Sequence, residues 1–203
     1  QSASDMDFGS LKISVNEIED TDWNANFKKH FKTFRAAGNI VVKPTWEDYK
    51  ALPDDIVIEL DPGMAFGSGV HETTKMCLEL IQKYRPNSDS WSAMDVGCGS
   101  GILGIACAKL GANEVLALDY DQVSVDVAAA NAESNNVNIV AAQSDLLQNT
   151  KVKKYDIVLA NIIADIVIRL NKDIVGCLTN KSTYIVSGII EQRLDDVLDS
   201  LKQ

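Results

Sequence analysis

Apolar and polar positions follow two alternating patterns from Trp91 onward. Short apolar runs of strand length are separated by longer stretches with helical periodicity. The predicted strands lie in SAMDVGC, EVLALDYD, NIVAAQSD, YDIVLANI and STYIVSGI. The predicted helices span 102–110 and 122–135, then a segment running through Cys177, and finally a segment from about Glu191. Alternation of this kind predicts an α/β fold with a parallel, doubly wound sheet.

Residues 1–50 have a different pattern. They contain Trp23, Trp46, the basic stretch FKKHFKTFR and two short strand-like pieces, LKISV and NIVVKP. A helix is predicted around Asp22–Phe31. We therefore interpret 1–50 as an entry segment or the tail of another domain, and 51–203 as the domain built on the sheet.

The composition narrows the class of protein. The 203 residues are 46% apolar, which suits one domain of ordinary size. No run is long enough to span a bilayer, and QSASDMDFGS lacks the features of a secretory signal. The four cysteines lie far apart without metal-ligand spacing, which favours reduced core thiols and no metal site. Together these features predict a cytoplasmic protein that does not contact a membrane.

The formal net charge is −10. Such a charge repels phosphate backbones, so direct nucleic-acid binding is not expected. It would attract a basic protein, although from the charge alone ordinary solubility is the favoured explanation.

A glycine-rich loop, DVGCGSGILG, follows the first predicted strand and opens a helix. Glycines 97, 99 and 101 allow a sharp turn and close approach of a ligand. Asp119 lies 20 residues after Gly99, at the tip of the second strand. An acid at that position can accept hydrogen bonds from both ribose hydroxyls, so a nucleoside-bearing ligand is predicted.

Two ligands fit this loop. Gly99, Gly101 and Gly104 satisfy the G-x-G-x-x-G pattern of dinucleotide-binding proteins. The loop begins one glycine earlier, however, and is preceded by Asp95. A carboxylate there disfavours a pyrophosphate and accommodates a cation, so S-adenosylmethionine is favoured over NAD.

The segment LDPGMAFGSGVHETTKMCLELI precedes the sheet and ends in an amphipathic helix. Threonine hydroxyls and free amides at a helix start can bind an anion, such as the methionine carboxylate of the cofactor. Capping of the helix by Thr73 or Thr74 is the alternative. His71 is a possible base, although a loop histidine is more often simply solvated.

Asn161 ends the fourth predicted strand, which should neighbour the first strand. Its side-chain oxygen can accept a hydrogen bond from an incoming amine and orient the nitrogen lone pair towards the methyl group. Deprotonating a lysine at neutral pH costs roughly 4–5 kcal/mol from its reference pKa of ~10.4, and a low-dielectric site beside a sulfonium reduces that cost. No strong base is evident, so proton loss to solvent is the simpler hypothesis. The alternative is a satisfied amide at a strand end.

The residues after Asn161 bear on the acceptor. NIIA lacks the aromatic side chain that stacks on a flipped base. The sequence therefore favours an aliphatic amine over a nucleobase.

These motifs resemble those of the ribosomal protein L11 methyltransferase (PrmA) family. The resemblance covers about Val15 to Gln192 and rests on LDPGMAFGSGVHETT, MDVGCGSGILGIACAKLGA, LALDYD, ANIIAD and VSGII. The segment EIEDTDWNANFKKHFKTFR resembles the linker of that family. The resemblance implies a class I S-adenosylmethionine-dependent methyltransferase (Rossmann-like) fold. It also implies methylation of lysine side chains and the N-terminal amine of L11, a basic protein of the large ribosomal subunit.

The resemblance assigns the site residue by residue. Asn161 would be catalytic and present its carbonyl to the substrate amine, and Asp145 would contact the adenine. The full set of predicted cofactor contacts is Phe66, Gly67, Thr74, Asp95, Gly97, Gly99, Asp119, Asp145 and Asn161.

The chain departs from the family pattern in three ways. Ser68 stands where members usually have threonine, and only a tail of the N-terminal substrate-recognition domain is present. The final antiparallel strand pair is also lacking, which would leave the fifth strand as an exposed edge. We therefore expect a fragment that binds cofactor better than it methylates L11.

Three other functions remain open: a class I methyltransferase acting on another protein or a small-molecule amine, an NAD-dependent oxidoreductase, and a noncatalytic module that binds the ribosomal protein.

Overall fold

The computed structural model describes residues 31–61, 67–148, 150–151 and 153–202. The chain divides into two compact units, Gln1–Phe31 and Lys32–Gln203, and all the elements below belong to the second. The strand predicted at LKISV lies outside the described residues, as does nearly all of the helix predicted around Asp22–Phe31.

A small sheet of three strands opens the second unit. Its strands are β1 (Phe34–Ala37), β2 (Ile40–Pro44) and β3 (Ile56–Leu60), in that order. β1 runs antiparallel to β2, whereas β2 and β3 are parallel, with Ile40 opposite Ile56. The strand predicted at NIVVKP is β2. The domain boundary expected at residue 50 would fall between β2 and β3, whereas the second compact unit begins at Lys32.

The five strands predicted from the apolar runs form one parallel sheet. Its order is β6-β5-β4-β7-β8, and every neighbouring pair is parallel. The strands are β4 (Ser92–Val96), β5 (Glu114–Asp119), β6 (Val140–Gln143), β7 (Tyr155–Asn161) and β8 (Leu178–Ser187). Four successive residues of β7, 157–160, are fully buried. This burial is typical of an inner parallel strand that is covered on both faces.

Five α-helices accompany the sheets in the described part of the chain. They are α1 (Glu72–Tyr84), α2 (Ile102–Lys109), α3 (Gln122–Ser134), α4 (Ala164–Asn171) and α5 (Leu194–Ser200). The helix predicted to run through Cys177 was wrong in its extent, because α4 ends at Asn171 and a short 3-10 helix covers Ile174–Cys177. Asn171, Asp173 and Gly176 are weak helix formers, which explains the break. The last helix begins as a 3-10 turn at Glu191–Arg193.

The order of the strands locates the site. The chain starts at the central strand β4, moves outward through β5 and β6, and then returns to β7 and β8 on the other side. The direction reverses between β4 and β7. In open parallel sheets, ligands bind at the carboxyl ends of the strands beside such a reversal.

Candidate active site

A cavity of about 770 Å³ lies at the carboxyl ends of the large sheet. Residues at or just beyond the end of every one of its five strands line this cavity. These strand-end lining residues include Gly97, Asp119, Asp145, Asn161 and Gly188. The sequence-predicted residues Gly97, Gly99, Asp119, Asp145 and Asn161 are therefore brought together here.

The glycine loop turns through left-handed backbone conformations. Gly97, Gly99 and Gly101 have φ values of 76°, 52° and 80°. A Cβ at Gly97 would overlap the Ile162 side chain, and one at Gly101 would lie 3.0 Å from Cβ of Ala128. Glycine is thus required here both for the turn and for close packing.

Asp119 is held by the backbone of two loops. Its Oδ2 accepts a hydrogen bond from the Gly99 N–H at 2.9 Å, and its Oδ1 accepts one from the Asp121 N–H at 3.0 Å. An ionised carboxylate has about four acceptor positions, so each oxygen retains one for a ligand. The geometry thus leaves Asp119 able to accept hydrogen bonds from two hydroxyl groups.

Asn161 contacts the first turn of α1. Its Nδ2 donates to Oγ1 of Thr74 at 3.4 Å. This contact leaves the Asn161 Oδ1 as the hydrogen-bond acceptor for a group in the cavity. Thr74 is 1% exposed and does not line the cavity, whereas its neighbour Thr73 does. Thr74, predicted to contact the cofactor, therefore contacts Asn161 instead of lining the cavity.

The alternative of a capping threonine is not supported. The N-cap residue of α1 is His71, and within the described residues the helix start has no side-chain capping hydrogen bond. His71 is exposed and does not line the cavity.

Asp95 lies behind the cavity wall. It is 1% exposed, and its Oδ2 accepts a hydrogen bond from the Gly104 N–H in the first turn of α2 at 3.1 Å. Its Oδ1 is buried without a hydrogen-bond partner in the described part of the chain. Burial raises the pKa of Asp95 to about 7, although the Gly104 hydrogen bond opposes this rise. The Asp95 side chain accepts a hydrogen bond at the start of α2 and does not line the cavity. This position differs from the prediction that Asp95 contacts the cofactor.

Asp145 is engaged by an arginine that also lines the cavity. Nη2 of Arg169, on α4, lies 3.1 Å from Oδ1 and 3.0 Å from Oδ2 of Asp145. A ligand that contacts Asp145 would therefore meet a carboxylate already held by a cation.

Two other cofactor contacts were predicted, at Gly67 and Phe66. Gly67 does not line the cavity, but its carbonyl accepts a hydrogen bond from Oγ of Ser100 at 2.5 Å. Phe66 lies outside the described residues.

Sequence reasoning missed several lining residues. Tyr120, which is 75% exposed, directly follows Asp119, and Gly188 lies within VSGII, so position relative to known motifs could have identified both. Arg169 gave no such signal, because its partner Asp145 is 24 residues away.

Other chemistry-bearing groups in the described ranges bear on metal binding and thiol chemistry. The described residues contain no group of His, Cys, Asp and Glu that could hold a metal. The four cysteines are free and buried, and burial raises the pKa of the Cys98 and Cys107 thiols, which suppresses the nucleophilic thiolate. Within the described ranges, no helix has the length and apolar character needed to cross a membrane.

The cavity lining combines charged and aliphatic side chains. Its charged residues are Asp119, Asp145 and Arg169, and Tyr120 is the aromatic lining residue in the described ranges. Ile162 and Ile163 directly follow Asn161 in the chain and, with Ile166, also line the cavity, where Ile163 is 63% exposed. The lining can therefore accept hydrogen-bonding, cationic and aliphatic parts of a ligand.

Comparisons with known proteins identify the family to which the chain is related. A sequence profile of the family described as ribosomal protein L11 methyltransferase (PrmA) matches residues 1–203. The ribosomal protein L11 methyltransferase of Caldicellulosiruptor saccharolyticus is 51% identical over 98% of this chain and 64% of its own length. Its counterpart from Caldicellulosiruptor bescii is 48% identical over 100% of this chain and 66% of its own length. The chain thus spans just under two thirds of these relatives.

A solved structure is also similar. The crystal structure of ribosomal protein L11 methylase from Lactobacillus delbrueckii subsp. bulgaricus matches with a TM-score of 0.77 and 34% sequence identity. The match covers 85% of this chain and 88% of that chain.

Proposed function

Because this chain belongs to the ribosomal protein L11 methyltransferase family, we propose that it transfers the methyl group of S-adenosylmethionine to amines of ribosomal protein L11. The acceptors are lysine side chains and the N-terminal amine. The observation that carries the proposal is the placement of Asn161 in one cavity with Asp119 and the glycine loop, at the ends of neighbouring strands. We further propose a cytoplasmic location, where ribosomal proteins are made and assembled.

The residues present fit S-adenosylmethionine. Asp119 offers two fixed carboxylate oxygens to the ribose hydroxyls, and the left-handed glycines admit the ligand close to the backbone. The cofactor carries positive charge on its sulfonium and ammonium groups. Asp119 and the orphaned oxygen of Asp95 favour such a cation and disfavour a pyrophosphate. When bound, the cofactor supplies an electrophilic methyl group.

Asn161 orients the acceptor. Thr74 engages its amide nitrogen, so its Oδ1 is free to accept a hydrogen bond from the substrate amine. That hydrogen bond directs the nitrogen lone pair along the line of displacement. The amine must lose its proton first, and we infer that solvent takes this proton through the open mouth of the cavity.

The surroundings of Asn161 favour lysine over a nucleobase. The residues that follow it are Ile162 and Ile163, and Ile166 lies one helical turn beyond. A methylene stem can pack against these aliphatic side chains, whereas a base needs an aromatic surface for stacking. Tyr120, the aromatic residue in the cavity lining, stands beside Asp119 instead.

Charge supports a basic protein partner. The net charge of −10 attracts a basic protein over distances of about one Debye length, ~8 Å at physiological salt. We therefore expect association with L11 to weaken as ionic strength rises.

The test is methyl transfer from radiolabelled S-adenosylmethionine to purified L11, together with calorimetric titration of the cofactor. Asn161→Ala should lower transfer by about 100-fold and leave the cofactor Kd within severalfold, because it removes orientation of the acceptor. Asp119→Ala should instead raise the cofactor Kd by at least about tenfold, because it removes two charged hydrogen bonds.

Further measurements test the alternatives to this proposal. Titration with NADH tests the oxidoreductase alternative, and saturable NADH binding without S-adenosylmethionine binding would overturn the proposal. Unchanged turnover by Asn161→Ala would point to another group as the one that orients the acceptor. Methylation of unrelated amines at the same rate as L11 would contradict the assignment of L11 as the specific substrate.

A further inference from the structure

The buried face of α3 contacts the glycine loop and the strand β3 in succession. Ala128 and Asn131 lie on this face, Asn135 follows directly after the last residue of the helix, and all three are at least 94% buried. Ala128 packs closely against Gly101 of the loop. A buried asparagine is a poor helix former and its amide is costly to bury, so its hydrogen bonds explain its presence.

Asn131 connects the glycine loop to the residue after β3. Its Nδ2 donates to the Ser100 carbonyl at 2.9 Å, and its Oδ1 accepts from the Asp61 N–H at 3.2 Å. One amide thus joins two segments that are 39 residues apart in sequence, 61 and 100.

Ser100 makes a second connection from the same loop. It is fully buried, and its hydroxyl donates to the Gly67 carbonyl at 2.5 Å. The glycine loop is therefore tied to residue 61 through Asn131 and to residue 67 directly.

Asn135 offers a natural comparison one helical turn further along. Its Oδ1 accepts from the Glu59 N–H at 2.9 Å, and its Nδ2 donates to the Glu59 carbonyl at 2.6 Å and to the Asn131 carbonyl at 2.7 Å. These side-chain bonds hold β3 and α3, and none reaches the glycine loop.

We propose that Asn131 and Ser100 are positioning residues that preorganise the glycine loop for the cofactor. The proposal rests on the proposed function, since it concerns binding of S-adenosylmethionine. Three residues of this loop adopt left-handed glycine conformations, and glycine has the largest conformational freedom to lose. The Gly99 N–H also orients Asp119. Fixing the loop before the ligand arrives reduces the ordering cost of binding.

The test compares Asn131→Ala with Asn135→Ala by calorimetric titration with S-adenosylmethionine. Asn131→Ala should raise the Kd by about tenfold, as expected for losing hydrogen bonds of ordinary strength. Asn135→Ala should leave the Kd within about twofold, although it removes three side-chain hydrogen bonds and Asn131→Ala removes two. Ser100→Ala, which deletes only the hydroxyl, should raise the Kd in the same direction and serves if Asn131→Ala fails to fold.

Hydrogen exchange of the ligand-free proteins gives an independent readout. The Gly99 amide should exchange faster in Asn131→Ala than in the wild type, and at the wild-type rate in Asn135→Ala. Equal effects of the two asparagine variants on both Kd and exchange would overturn the proposal, because general destabilisation would then explain them. A wild-type chain that binds no S-adenosylmethionine would overturn the proposed function, and the positioning role with it. Wild-type binding that Asn131→Ala and Ser100→Ala leave unchanged would overturn the positioning role alone.

Discussion

Replacing Asp95 by asparagine tests the energetic cost of a buried carboxyl group. In the wild type one oxygen accepts the Gly104 N–H and the other has no partner within the described residues. Burial raises the pKa of Asp95 from 3.8 to about 7. Asparagine keeps an oxygen for Gly104 and carries no charge at any pH, so it isolates the cost of ionisation.

The sign and size follow from linkage. Because the pKa of this acid is higher in the folded than in the unfolded state, the folded chain binds the proton more tightly. The contribution of Asp95 to the free energy of unfolding is therefore highest below about pH 4, falls between about pH 4 and pH 7, and is level above. The difference between 3.8 and about 7 corresponds to an upper limit of ~4 kcal/mol lost at alkaline pH.

The Asp95→Asn variant loses the cost of burying an ionised carboxylate and gains the smaller cost of a buried donor without a partner. Its amide nitrogen takes the position of an oxygen without a partner, and an unsatisfied buried donor costs about 1–3 kcal/mol. At about pH 8 the Asp95→Asn protein should be more stable than the wild type by about 1–3 kcal/mol. At about pH 4 it should be equally stable or less stable.

Urea denaturation of both proteins across this pH range measures the difference. An exposed variant on α3, Asp126→Asn, controls for removal of one negative charge from the surface. If the difference in free energy of unfolding between the wild type and Asp95→Asn does not change with pH, the reasoning is refuted. Asp95→Asn should also bind S-adenosylmethionine more weakly than the wild type does, because its neutral amide cannot carry the negative charge that favours a cation.

Further substitutions test the backbone, the core and a helix cap. Gly188→Ala and Gly111→Ala both place a side chain at positive φ; Gly111→Ala should cost about 1–2 kcal/mol in thermal unfolding, and Gly188→Ala should cost more because its Cβ also meets the Ile162 backbone. Only Gly188→Ala should also reduce methyl transfer, because its Cβ would lie 2.7 Å from the carbonyl oxygen of Ile162, next to Asn161. Leu159→Ala, in the fully buried centre of β7, should lower the free energy of unfolding by about 2–5 kcal/mol in urea. Asp121→Ala removes the side-chain acceptor for the Val123 N–H at the start of α3 and should cost about 1 kcal/mol in the same assay.

The large sheet was predictable because its inner strands β4 and β7 are largely buried. Such strands give short apolar runs, and the longer helical stretches between the runs separate the strands. The end of α4 was less predictable. Its break at Asn171 reflects propensities that differ by less than about 1 kcal/mol per residue and contacts with Ser200 and Tyr184, which lie far along the chain.

The strands and loops that form the site could be predicted from the sequence. Which of their side chains line the cavity was less predictable. Asp119 ends β5 and Asn161 ends β7, on either side of β4. The topology of the parallel sheet therefore places both residues at the same edge. One step along a helix rotates the side chain by about 100°, and this rotation decides that Thr73 lines the cavity whereas Thr74 contacts Asn161. The inward position of Asp95 depends on the first turn of α2, which spacing alone does not reveal.

Each polar group proposed to face the ligand is held by a residue from a different strand–helix unit. The glycine loop holds Asp119, α4 holds Asp145, and the start of α1 holds Asn161 across 87 residues of sequence. No single loop therefore sets the geometry of the cavity. A change at one of these supporting contacts moves a group on another element, so substitutions at a pair in contact should not add. This interdependence explains why motifs scattered along the chain carry a more specific signal together than the glycine loop does alone.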